Sequence, residues 1–269
     1  MYNIIIYVYN NIVILFNIGA NMNKINFLRP NKVRFGFTLA EGATHVDMSP
    51  TKVKFGFTLA EILITLGIIG VVAAITIPTL NQRNFEKQTV SKLRETQSII
   101  SQAVRMAEQE NGDVDGWGLT GPDTQSATII ADKLKPYLKL AADCGVNDTS
   151  AICVTDKEYK RLNGTRHGDN YATGRLDCYK IALLNGTSIW WKGPQDDFRK
   201  ITFWIDVNGP KQPNTYGKDL FVFAYENYSI RPLGAPDSDS PWDKTCTKTG
   251  NGWGCAFYVL NNQNMNYLH

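Results

Sequence analysis

Histidine is nearly absent: 3 residues in 269. No CxxC pair occurs, and no GxSxG, HExxH or Ser-His-Asp order stands out. These gaps remove the usual patterns for zinc binding and for nucleophilic or metal-assisted hydrolysis. A long apolar run is missing from the last 190 residues, so the chain does not cross a membrane many times. Net charge is small as well, +3 from 28 basic and 25 acidic residues. What is plentiful is apolar and aromatic material, 43% and 11% of the chain. That composition excludes a disordered chain and is enough for one or two packed domains.

The charge is unevenly placed. Residues 1–56 hold Lys24, Arg29, Lys32, Arg34, Lys52 and Lys54 against Glu41 and Asp47, a balance of +4; the remainder carries −1. A basic segment ahead of an apolar stretch points to membrane topology rather than to a nucleic-acid patch. Residues 2–23 are uncharged but broken by Asn3, Asn10, Asn11, Asn17 and Asn21, with no basic residues in front. They read as upstream DNA translated from a start set too early, with Met22 and Met48 as later starts; a signal anchor is the competing reading. A repeat follows: Lys32–Glu41 (KVRFGFTLAE) and Lys52–Glu61 (KVKFGFTLAE) match at nine of ten positions. Two copies are too few for a solenoid. The first runs into polar residues, whereas the second runs into 19 uncharged, mostly apolar residues, ILITLGIIGVVAAITIPTL.

Gly56-Phe57-Thr58-Leu59-Ala60-Glu61, with its basic leader and apolar helix, resembles the prepilin signal of type IV pilins and type II secretion pseudopilins. Pro78, near the end of the apolar run, also suits that family. The likeness is specific from Lys52 to about Leu80, and beyond that it is one of architecture. It implies cleavage after Gly56, methylation of Phe57, and a carboxylate at Glu61 that pairs with the freed amine of a neighbouring subunit. The implied partners are a prepilin peptidase and methylase, other pilin subunits, an inner-membrane assembly platform, and lipid before assembly. The implied location is the bacterial inner membrane, with a cytoplasmic leader and an exported head, and then a filament.

The residues carry physical reasons of their own. Gly56 offers a protease an unobstructed backbone. Lys52 and Lys54 hold the leader on the cytoplasmic side. Ile62 to Ile77 is long enough for the hydrocarbon core. Gly67, Gly70, Ala73 and Ala74 present small residues for close helix packing. Pro78 removes one helix donor. Glu61 is the anomaly, since an acidic residue in an apolar helix costs roughly 2.5–3.5 kcal/mol on insertion scales.

Four segments follow from this reading: a leader and N-terminal extension (1–56), a membrane or filament-core helix (57–80), its amphipathic continuation (81–110) and an exported head (111–269). In the continuation, Val90, Leu93, Ile100, Val104 and Ala107 fall at helical spacing and form one apolar stripe. Asn111-Gly112 is a stop signal. In the head, Asp113–Gly118 reads as a turn rather than a calcium loop. A helix is expected over Ser126–Leu140, and strands over Leu176–Leu184, Ser188–Lys192, Phe198–Val207, Leu220–Tyr225 and Cys255–Leu260, the first two joined by a hairpin at Asn185-Gly186. The fold class is therefore α+β: a long N-terminal helix packed on a small antiparallel sheet, as in pilins.

Asp206, Asn208 and Asp219, with Asn214 as a fourth, can supply hard oxygen ligands to calcium. The alternative is a turn-rich connection whose Asx side chains cap their own backbone. Some pseudopilin heads hold calcium in a loop of this general kind. Among five cysteines, Cys144/Cys153 and Cys246/Cys255 share one spacing, and pairing within each set suits an exported head. Cys178 then remains as a small buried apolar residue. Trp190, Trp191 and Trp204 read as core, while aromatics left exposed on the head would offer contact points. Three Asn-X-Ser/Thr triplets fall at turn-like positions and are assigned nothing. Two rival functions stay open: an exported enzyme or binding protein on a pilin-like anchor, and a DNA-uptake minor pilin. Only His167 and His269 follow Gly56, which weakens the first; the −1 balance gives the second no support.

Overall fold

In a computed structural model, residues 3–9, 12–18, 57–146, 151–166, 177–194, 201–236 and 245–269 are described. Gly56, Lys52, Lys54, the upstream copy Gly36–Glu41, Met22, Met48 and His167 lie outside them. The chain divides into two units, Met1–Gly56 and Phe57–His269. Of the first, strands β1 (Asn3–Tyr9) and β2 (Ile12–Ile18) are described, paired antiparallel. The second unit is described from here on.

Helix α1 runs from Leu59 to Asn111, about 80 Å at 1.5 Å per residue. It starts on a Thr58 N-cap and stops where Gly112 takes φ 75°, a conformation that spares glycine the Cβ clash. Two halves of this helix differ in kind. From Phe57 to Asn84 every residue except Ala73 is exposed. After that the helix buries Thr89, Leu93, Thr96, Ile100, Ala103, Val104 and Ala107 on one face. Four of the five residues in the expected stripe are in that set; Val90 is half-buried. Among the described residues this is the one helix long and apolar enough to cross a membrane.

The head is a six-stranded antiparallel meander in chain order: β3 (Leu140–Gly145), β4 (Tyr179–Leu183), β5 (Ser188–Lys192), β6 (Thr202–Asp206), β7 (Leu220–Glu226) and β8 (Ser229–Pro232). Alternation splits its side chains between two cores. Ile181, Ile189, Trp191, Phe203, Ile205, Phe221 and Phe223 face the α1 stripe and helix α2 (Thr124–Leu134). Trp190, Trp204, Leu220 and Val222 face the other way, against Val154, Tyr159, Tyr216 and Leu233 from loops. With both faces covered, β5, β6 and β7 are buried at every residue. The layout is α+β, with a long helix on an antiparallel sheet.

Several expected elements are moved or replaced. The strand expected at Cys255–Leu260 is instead helix α3 (Cys255–Asn262). Its buried residues, Cys255, Ala256 and Val259, fall at helical spacing, and a six-residue apolar run does not by itself distinguish the two periods. The helix expected to Leu140 ends at Leu134. A 3₁₀ turn at Lys135–Tyr137 holds Pro136, and Leu140 already opens β3. Strand β8 was not expected.

Candidate functional site

Two places concentrate groups with chemical potential, the start of α1 and the loop from Asp206 to Asp219. At the start of α1, Phe57 is 82% exposed. Glu61 sits in the first helical turn and forms a capping box with Thr58. The Thr58 backbone N–H and hydroxyl each donate to Glu61 Oε2 at 2.8 Å, and Glu61 N–H donates to Thr58 Oγ1 at 3.3 Å. The carboxylate therefore sits where the helix dipole is positive and where backbone donors lack partners. Thr58 was not singled out from the sequence, although Thr-x-x-Glu ahead of an apolar run is the signature of this box. Pro78 lies inside the exposed half. On either side of it, Thr76 and Thr79 hydroxyls donate to the Val72 and Ile75 carbonyls at 2.9 and 3.4 Å.

The loop between β6 and β7 brings the four expected oxygen donors toward the second core. Asp206 ends β6 and Asp219 precedes β7; both side chains are fully buried. Tyr159 Oη donates to Asp206 Oδ2 at 2.7 Å, and Asn208 N–H donates to Asp206 Oδ1 at 3.3 Å. Asp219 accepts from the backbone of Asn214 and Thr215, both at 2.7 Å. The carboxylates thus cap the loop backbone, as the alternative reading expected. They are nonetheless left without cations: no Lys or Arg pairs with either among the described residues. Burial, and then the charge of Asp219, pushes the Asp206 carboxyl well above the usual range. Burial raises Asp219 to about 6. The same burial, with Asp206 beside it, pushes the Tyr159 hydroxyl up.

The two amide oxygens complete the set. Asn208 Oδ1 and Asn214 Oδ1 are buried and accept no hydrogen bond; Asn214 is 2% exposed. Their amide nitrogens are satisfied, by the Gln212 carbonyl at 3.0 Å and Thr155 Oγ1 at 3.2 Å. Two orphaned amide oxygens and two buried carboxylates on one loop are all oxygen donors of the hard type.

The loop is tied to its surroundings. Lys160 exchanges backbone bonds with Asn214 and Tyr216, each at 2.9 Å. Gly217 takes φ 76°, and a Cβ there would lie 2.8 Å from Cys255 Sγ. Only glycine lets the loop approach α3 so closely. Tyr267 Oη donates to the Gly217 carbonyl, and His269 Nε2 lies 3.0 Å from Glu86 Oε1 on α1.

Disulfides join Cys144 to Cys153 and Cys246 to Cys255, and Cys178 is buried outside both bridges. The second bridge ties a loop to the first residue of α3 rather than to a strand. Trp190, Trp191 and Trp204 are all buried. No family model, no curated protein and no solved structure matches this chain.

Proposed function

We propose that this chain is a pilin-like structural subunit, processed after Gly56 and methylated at Phe57, and a minor component of a type IV pilus or type II secretion pseudopilus. The observation that carries the reading is the divided α1. One continuous helix exposes an apolar half of about 25 residues that contains a single carboxylate, Glu61, and packs its other half on a sheet. An exposed apolar surface of that extent needs lipid or other helices to cover it. A lone acidic residue in such a segment needs a function, given its insertion cost. The leader's Lys52 and Lys54, followed by Gly56, supply a processing signal at the right place. Its partners are then a prepilin peptidase, other pilins, an assembly platform and, before assembly, lipid. The chain's own chemistry is that of packing, and catalysis belongs to the peptidase.

Co-expression with a prepilin peptidase tests the processing step. The wild-type chain should shorten by its leader, and Gly56→Leu should stay full length. Peptidase-independent length would count for the rival, an exported binding protein or enzyme on an uncleaved anchor.

A second reading concerns the head. Asp206, Asn208, Asn214 and Asp219 would hold calcium, which would neutralise the buried carboxylate pair and use the two orphaned amide oxygens. The orphaned Asn214 Oδ1 is what favours this over a plain capped turn. Titrating the full chain with calcium tests it through the melting temperature.

A further inference from the structure

We propose that the cleft between α1 and β8 docks an acidic side chain of a partner polypeptide, with Arg105 as the anchor and Tyr228 as the contact surface beside it. The proposal does not rest on the pilin reading. It begins with a local anomaly. β7 and β8 pair Glu226 with Ser229, so Asn227 and Tyr228 alone make the turn. Both have positive φ, 49° and 58°, as in a type I′ hairpin. Asparagine suits the first position. The second is glycine's, because a Cβ clashes in the left-handed region. Tyr228 holds that conformation while 66% exposed, so burial of its ring does not offset the strain. A strained bulky residue at an exposed tip points to function rather than to packing.

Tyr228 also lines a cleft of about 170 Å³. Val104 and Ile230 are its apolar lining, and Gln97, Ser101 and Arg105 from α1, with Ser229 from β8, are polar. Among the described residues no carboxylate lines it. Arg105 is exposed and has no ion pair or hydrogen bond among the described residues. The lining is therefore rich in donors and carries one guanidinium without an ion pair among the described residues, which matches a carboxylate in fork geometry. The volume admits one side chain and is well below that of a drug-sized pocket. A free carboxylate held by one exposed arginine would gain little. Useful affinity requires backbone on either side of the acid, laid across Tyr228, and Tyr and Arg are the residues that dominate such contacts. The occupant is thus an acidic residue within a peptide segment.

The test uses the full chain in detergent micelles, with a fluorescent, end-blocked Gly/Ser hexapeptide carrying one central Glu. Fluorescence anisotropy should show saturable binding that weakens with added salt. The same peptide with Gln in place of Glu should bind about tenfold more weakly, as should the Arg105→Gln and Tyr228→Gly variants. The melting temperature should be unchanged in Arg105→Gln and raised in Tyr228→Gly, which separates lost contact from lost fold. Competition by free glucuronate as effective as unlabelled Glu peptide would overturn the proposal in favour of a small-acid site. Equal binding of the Gln peptide, full binding by Arg105→Gln, or no binding of the Glu peptide would also overturn it.

Discussion

Raising the pH of the detergent-solubilised full chain from about 4 to about 7, in a chelator, should lower its melting temperature. The cause is Asp219. Its carboxyl titrates near 3.8 when unfolded and at about 6 when folded. Between those values the folded chain keeps a proton that the unfolded chain releases, so stability falls as pH rises, and the share owed to Asp219 is complete above about 6. At about 1.4 kcal/mol per pH unit the loss is about 3 kcal/mol, or roughly 6–12 °C for a domain of this size. Asp206 is pushed the same way by burial and by Asp219. Calcium should reverse the loss above pH 6, because it replaces the missing proton as countercharge. At a hundredfold excess over Kd, binding contributes about 2.7 kcal/mol, close to the amount lost. Near pH 5 the ion must displace a proton, and its effect should shrink. Differential scanning fluorimetry reads all of this, with Asp219→Asn as the control in which the slope between about pH 4 and 6 becomes shallower, burial of Asp206 keeping the remainder. A flat profile in chelator would refute the buried carboxylate account. No rise with millimolar calcium at pH 7.5 would refute the ligand account.

Leu93→Ala should destabilise the head by about 2–5 kcal/mol, because Leu93 is fully buried between α1 and the sheet; chemical denaturation measures it. Tyr228→Gly should stabilise by about 1 kcal/mol by removing left-handed strain from a bulky residue, seen as a higher denaturation midpoint. Replacing Cys246 and Cys255 together by Ser should cost on the order of 2.5 kcal/mol, from a bridge with a separation of 9 residues. Reduction of the wild type opens the Cys144–Cys153 bridge as well, of the same separation, and should produce about twice that loss.

The readable parts were those with long or paired signals. The α1 stripe from Leu93 to Ala107 repeats over several turns, so its period is unambiguous. Asn185-Gly186 announced the β4–β5 hairpin by turn chemistry. Asn227-Tyr228 makes a two-residue turn with positive φ at both positions and no glycine, which is why β8 stayed hidden. CAFYVL was read as a strand because β-formers fill it. Its helix follows from tertiary context, with Cys255 bridged to Cys246 and Val259 in the core. The second core was also hidden, since Tyr159 and Tyr216 come from loops that carry no periodicity. At the candidate site, the Asx residues of the β6–β7 loop were visible as oxygen donors. Their burial was not, because Tyr159, which caps Asp206, lies 47 residues upstream. Arg105 and Tyr228 have no sequence signal at all; only the fold brings them together.

The central claim is that the chain is a prepilin, and N-terminal sequencing of the protein recovered from bacterial membranes tests it most directly. The account predicts a mature chain of 213 residues, the 269 less the 56 up to Gly56, beginning with N-methylated Phe57. A chain recovered with Lys52–Glu61 intact would contradict it.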